Sequence, residues 1–254
     1  MMPTAWEESW GHGMTSGFDF QKSPECPALM QRNLEHGQMV CCHNGTSNVV
    51  AFRPPCDRQR NARYHFIALK KVGKLIDNKT IVAGLTFGIE KGSLVAIIGA
   101  NDAGKSILLK LLSGFEKPDY GNVFIHGLDM QKRKIKTRRL IGYVPHETDL
   151  DPWLTIEQNI QFSSRLFQVN NKDYLERLSF YSDLLNIVEY LGELASRVSY
   201  GIQKKAMIVR ALIHNPDILI LDEPTGFMDA PSIRMTWDLL KKLKDHRFEL
   251  LQSW

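Results

Sequence analysis

The chain has 254 residues, 43% hydrophobic and 24% charged, and 32 Lys and Arg against 28 Asp and Glu give a net charge of +4. That length holds one large domain or two small ones, and so mild a basic excess points to no nucleic-acid partner. No stretch reaches the ~18 apolar residues a bilayer-crossing helix needs, and the acids and Trp near the start do not read as a signal peptide.

Residues 1–62 show no sustained strand or helix period and are rich in Gly, Pro, His, Asn and Ser. They read as a poorly ordered N-terminal extension, with Met14, Met30 and Met39 as alternative starts. Cys26, Cys41, Cys42 and Cys56 all lie here without zinc spacing, so they read as loose thiols rather than as a metal site with His43. Their absence from the rest of the chain suits a reducing compartment.

From Tyr64 the texture changes. HFIAL and TIVAGLTFGIEKG read as strands joined by a turn, and LVAIIG (94–99) as a short buried strand. KSILLKLLSG (105–114) is a helix closed by Gly114. GNVFIHG is a strand, and LIGYVP is another, stopped by Pro145. TIEQNIQFSSRLF has an amphipathic helical period with Thr155 as N-cap, and further helices are expected at 172–191 and about 201–214. DILILDEP is a buried strand, and SIRMTWDLLKKLK is the helix after it. Strand, loop, helix and strand in alternation make an α/β fold with a parallel-sheet core, a small antiparallel β part and an inserted helical subdomain at about 147–214. KRKIKTRR (132–139) reads as a solvated helix face.

The chemistry gathers at two places. GANDAGKS (99–106) fits G-x-x-x-x-G-K-[ST] between a buried strand and a helix. Such a loop turns backbone N–H groups and a helix N-terminus toward phosphates; here Gly99, Ala100, Asn101, Asp102, Ala103, Gly104, Lys105, Ser106 and Ile107 would line it. Lys105 would reach the outer phosphates, and the Ser106 hydroxyl would face Mg2+. ILILDEP then sets Asp222 and Glu223 at the end of a buried strand, the first to hold Mg2+ and the second to take a proton from the attacking water.

With these motifs in this order, residues 64–254 resemble the nucleotide-binding subunits of ABC transporters, which have a P-loop NTPase fold. IGYVPH stands where that family has a strand ending in glutamine, so the resemblance puts His146 at a position near the metal. VSYGIQKKAMIVRALIHNPDILILDEPTGFMD resembles the signature motif, its helix, the metal strand and the D-loop in one stretch. Ser199, Tyr200 and Gly201 fall on the signature, and Asp229 on the D-loop aspartate. LTIEQNIQFSSRLF looks most like the drug and polysaccharide exporter branch. The resemblance implies binding and hydrolysis of ATP with Mg2+, pairing with a second ATP-binding domain, and a separate integral-membrane permease that holds the chain to the cytoplasmic face of a membrane.

The sequence also departs from the family. Asp102 replaces a loop glycine, Ile76 an aromatic that stacks on adenine, His146 the glutamine, and Tyr200 and Ile202 a glycine and a glutamine of the signature. A lost stacking ring costs on the order of 1–3 kcal/mol. Trp254 stands where the family has a histidine, His246 comes too early to replace it, and the family's C-terminal end is expected to be missing. Three readings stay open: an ATPase powering an exporter, a degenerate or regulatory ATP-binding protein with little turnover, and an ATPase outside transport.

Overall fold

The computed structural model describes residues 37–42, 50–52, 66–89, 91, 94–99, 103–245 and 249–253. The chain divides into two units, Met1–Glu35 and His36–Trp254, and every described residue belongs to the second. Its strands are β1 (Gly37–Cys42), β2 (Val50–Phe52), β3 (Ile67–Ile76), β4 (Lys79–Ile89), β5 (Leu94–Gly99), β6 (Tyr120–Ile125), β7 (Leu128–Asp129), β8 (Ile141–Val144), β9 (Ile218–Asp222) and β10 (Glu249–Ser253). Its helices are α1 (Lys105–Ser113), α2 (Lys134–Arg139), α3 (Ile156–Leu166), α4 (Asn171–Leu184), α5 (Tyr200–Leu212) and α6 (Ala230–Asp245).

A six-stranded sheet runs β2-β1-β5-β10-β9-β8, and every pairing in it is parallel except β1 with β2. A four-stranded antiparallel sheet runs β4-β3-β6-β7. Within residues 1–62, expected as a poorly ordered extension, β1 and β2 pair into the larger sheet. β1 pairs in parallel with β5, and such a strand carries no alternation, whereas β2 is only three residues long.

β9 shows why the parallel core forms. All five of its residues are buried, and their directions alternate. Ile218 and Ile220 join Val95, Ile97 and the α1 leucines in one core, whereas Leu219 and Leu221 join the helical residues Ile156, Ile160 and Met207 in another. The two cores lie on opposite faces of one strand, so continuous apolar sequence is required there.

The helical layer, α3 to α5, sits between β8 and β9 in the chain. α3 starts with a capping box: Thr155 accepts the Gln158 N–H at 3.1 Å, and the Gln158 side chain accepts the Thr155 N–H at 2.9 Å. The helix expected over 172–191 stops earlier, at Leu184. Asn186 takes a left-handed conformation (φ 56°) and the Ile187 N–H returns to the Ser182 carbonyl at 3.0 Å, which ends the helix. Val188–Tyr190 is a separate 3-10 turn. KRKIKTRR contributes α2, on which only Thr137 is buried.

Candidate functional site

β5 delivers the chain to the glycine loop, and α1 leaves it at Lys105. Gly104 caps the helix at φ 87°, and a Cβ there would lie 2.8 Å from Ile81 Cγ2. Both backbone and space therefore demand glycine. The Leu108 N–H donates to the Gly104 carbonyl at 2.9 Å, closing the first turn. Lys105 is 8% exposed, Ser106 and Ile107 are half-buried, and no acid occupies the first turn. The start of α1 thus has the features that suit an anion: a helix terminus without a side-chain cap, no acid in its first turn and a lysine on it. Ala100, Asn101 and Asp102 lie outside the described residues, as do Trp254 and His246.

α1 packs against β9. The strand ends at Asp222, 1% exposed, and the chain turns at once through Glu223 in a left-handed conformation (φ 46°). The Gly226 N–H returns to the Glu223 carbonyl at 3.2 Å. An acidic residue held in so sparsely populated a conformation directly after a buried strand marks a site where backbone strain is tolerated. Its carboxylate has a neighbour: His146 Nδ1 is 3.3 Å from Glu223 Oε2, and both side chains are 41% exposed. The imidazole expected near the metal faces the carboxylate expected as the base.

The signature residues open α5. Ser199 is its N-cap, with the hydroxyl accepting the Ile202 N–H at 3.3 Å. The Tyr200 hydroxyl donates to the His146 carbonyl at 2.7 Å, and its ring meets Phe227 edge-on at 5.0 Å between centroids. A Cβ on Gly201 would meet the Phe227 carbonyl at 3.6 Å, an ordinary contact, so the packing of this chain alone does not require glycine there. Asp229 caps α6, accepting the Ser232 N–H at 3.1 Å, and hydrogen bonding from Ser232 holds its carboxyl below the usual range.

Sequence reasoning missed Lys204. Two consecutive lysines of α5 are buried: Lys204 is 1% exposed and Lys205 5%. Lys204 Nζ donates to the carbonyls of Pro145 at 2.7 Å, His146 at 2.7 Å and Asp222 at 3.1 Å. Burial lowers its pKa to about 8, opposed by the charges of Asp222, Glu223 and Asp149. The sequence signal was its i+4 relation to Tyr200, which puts both on one helix face. Ile76 is 39% exposed at the end of β3, next to a turn in which Asp77 and Asn78 both have positive φ. Cys41 and Cys42 lie on β1. Among the described residues no group of three or more His, Cys, Asp and Glu could by itself hold a metal ion.

A family model described as ABC transporter matches residues 82–226. Nod factor export ATP-binding protein I of Burkholderia thailandensis is 30% identical over 177 residues, 70% of this chain and 58% of that protein. Linearmycin resistance ATP-binding protein LnrL of Bacillus subtilis is 30% identical over 176 residues, 69% of this chain and 57% of that one. This chain therefore spans 58% and 57% of the length of these two relatives. ABC transporter ATP-binding protein NatA of Bacillus subtilis is 31% identical over 181 residues, 70% of this chain and 74% of that protein. Among solved structures, an ATP-binding subunit of an ABC transporter superposes with TM-score 0.69 at 26% identity, covering 74% of this chain and 78% of that one. A dimeric bacterial ABC transporter cassette gives TM-score 0.68 at 26% identity, covering 74% and 87%. Family model, relatives and fold agree with the glycine loop and the acidic strand tip, and the chain belongs to the ABC transporter family.

Proposed function

We propose that this chain is an ATP-hydrolysing cassette that powers export through a separate membrane permease. One observation carries the reading: α1, with Lys105 and Ser106 on its first turn, packs against β9, with Asp222 and Glu223 at its tip. The backbone N–H groups of residues 99–107 and the α1 dipole take the triphosphate, and the Lys105 ammonium sits on its outer oxygens. Mg2+ fits the donor set, since the Ser106 hydroxyl and the Asp222 carboxylate are hard oxygen ligands. The His146 imidazole is a poor ligand for that ion and faces Glu223. When bound, the ion neutralises charge on the phosphates. Glu223 accepts a proton from water as the water oxygen attacks the γ-phosphorus and the bond to the ADP oxygen breaks.

Ser199, Gly201 and Asp229, with the main chain of Tyr200, serve a second ATP-binding domain, whose nucleotide takes the room that Gly201 leaves; the Tyr200 hydroxyl is turned to His146 of its own chain. The working body is residues 63–254, with the helical subdomain at 147–214. Relatives named for Nod factor export and linearmycin resistance support export. The permease would meet the stretch from His146 to Ile160, where Trp153 is 82% exposed, and would hold the chain to the cytoplasmic face of a membrane. No helix among the described residues is long and apolar enough to cross a membrane. Crosslinks from a co-purified permease that map only to residues 1–62 would sink this assignment.

The His146–Glu223 contact favours a second reading, a cassette that holds ATP with little turnover because its base is engaged. Mg2+-dependent binding and turnover of ATP decide between them. Under the first reading the full chain hydrolyses ATP, Glu223→Gln binds it without turnover, and Lys105→Ala loses binding. Wild-type turnover no faster than that of Glu223→Gln establishes the second.

A further inference from the structure

We propose that Tyr200 and Lys204 are positioning residues for Glu223: they brace the main chain on both sides of the contact between His146 and the Glu223 carboxylate. The kinetic part of this inference rests on the hydrolytic reading above; the geometric part does not.

Tyr200 and Lys204 are four residues apart on α5 and share a face. Both donate to one acceptor, the His146 carbonyl, each at 2.7 Å. A carbonyl oxygen has two lone pairs, so this one is saturated. Lys204 spends its other donors on Pro145 at 2.7 Å and Asp222 at 3.1 Å. Its three N–H groups thus meet three carbonyls, which is what a cation 1% exposed requires. Pro145 and His146 lie just beyond β8, and Asp222 immediately precedes Glu223. One ammonium therefore ties the backbone that carries the imidazole to the backbone that carries the carboxylate.

The backbones on which the two side chains stand set how they can meet. His146 and Glu223 are each 41% exposed, so packing confines neither closely. Their 3.3 Å separation follows from where the two backbones are held. Tyr200 adds a second constraint through its ring, which rests on Phe227 in the turn after Glu223. A glycine at position 200 would supply neither hydroxyl nor ring.

The test uses the full chain. Tyr200→Phe removes one hydroxyl and keeps the ring on Phe227; it should lower kcat on the order of tenfold while leaving KM for MgATP within about twofold. Lys204→Met should do the same or more; where it does not fold, Tyr200→Phe carries the test alone. His146→Ala keeps the carbonyl and deletes the imidazole. In that background Tyr200→Phe should change kcat by less than about twofold, because both substitutions act through one contact. An undiminished Tyr200→Phe effect without the imidazole would overturn the proposal, as would a raised KM with unchanged kcat. If the wild type turns over no ATP, the hydrolytic reading fails, and the brace is judged by NMR of histidine-labelled protein. The His146 ring resonance, assigned by its loss in His146→Ala, should shift in Tyr200→Phe. A ring resonance unmoved in that folded variant refutes the brace whatever the turnover.

Discussion

Acid should weaken this fold through one imidazole. His214 follows α5, stacks on Phe167 with centroids 3.9 Å apart and planes 9° apart, and has Nε2 3.2 Å from the Ile141 carbonyl. Nε2 therefore carries the proton and donates it. Nδ1 is buried with no hydrogen-bond partner among the described residues. Protonating it would place a charge where nothing receives it, and burial lowers the pKa from 6.5 to about 4; the Ile141 carbonyl opposes this and the Arg177 charge adds to it. At about 1.4 kcal/mol per pH unit the full difference is a ceiling of roughly 3.5 kcal/mol, and the ring's partial exposure reduces it to about 2 kcal/mol. The unfolded chain takes up the proton first as pH falls, so the contribution is whole above 6.5 and is lost as pH drops toward about 4. Urea unfolding of wild type and His214→Gln should be compared at about pH 7.5 and about pH 4.5. The stability gap, wild type minus variant, should shrink by about 2 kcal/mol at the lower pH. A gap equal at both pH values would refute the buried neutral imidazole.

Gly104→Ala meets both a φ of 87° and a Cβ 2.8 Å from Ile81, so it should cost about 1–2 kcal/mol or more and weaken binding of a fluorescent ATP analogue; unchanged melting and affinity would contradict the loop geometry. Gly142→Ala would press a methyl to 2.4 Å from the Ala211 carbonyl, forcing β8 from α5 at about 1–3 kcal/mol, read from chemical denaturation; a neutral result would mean the two elements pack more loosely. Thr155→Ala should lose about 1 kcal/mol and Thr155→Ser little, since only the hydroxyl serves the capping box. Equal melting temperatures for all three proteins would remove the box from the account.

The sequence was most legible where one local cause determines one local structure. Gly104 and Gly114 bound α1 through positive φ, Thr155 opens α3 through its side chain, and the apolar run 218–221 is a strand buried on both faces. The places of Lys105 at the start of α1 and of Asp222 and Glu223 at the end of β9 were legible because the glycine loop and the apolar run before the acids mark those junctions. Lys204 was not legible: a lysine looks solvated until three carbonyls from two distant segments are known to converge on it. The partner of His146 was hidden for the same reason, since Glu223 reaches it only through the pairing of β8 with β9. β1 left no periodic trace because it is short and pairs in parallel with β5, and β2, at three residues, is too short to show a period.

The strand order also dictates how the molecule must be made. β10, last in sequence among the described strands, lies between β5 and β9, so Leu94, paired with Gly37 on one side, meets its other neighbour only at Leu250. Until that strand arrives, β5 and β9 each present an open parallel edge that can recruit the wrong partner. The whole helical layer must be threaded and closed as one long loop before the middle of the sheet exists. Refolding should therefore be slow and concentration-sensitive, limited by a late insertion rather than by formation of the helices.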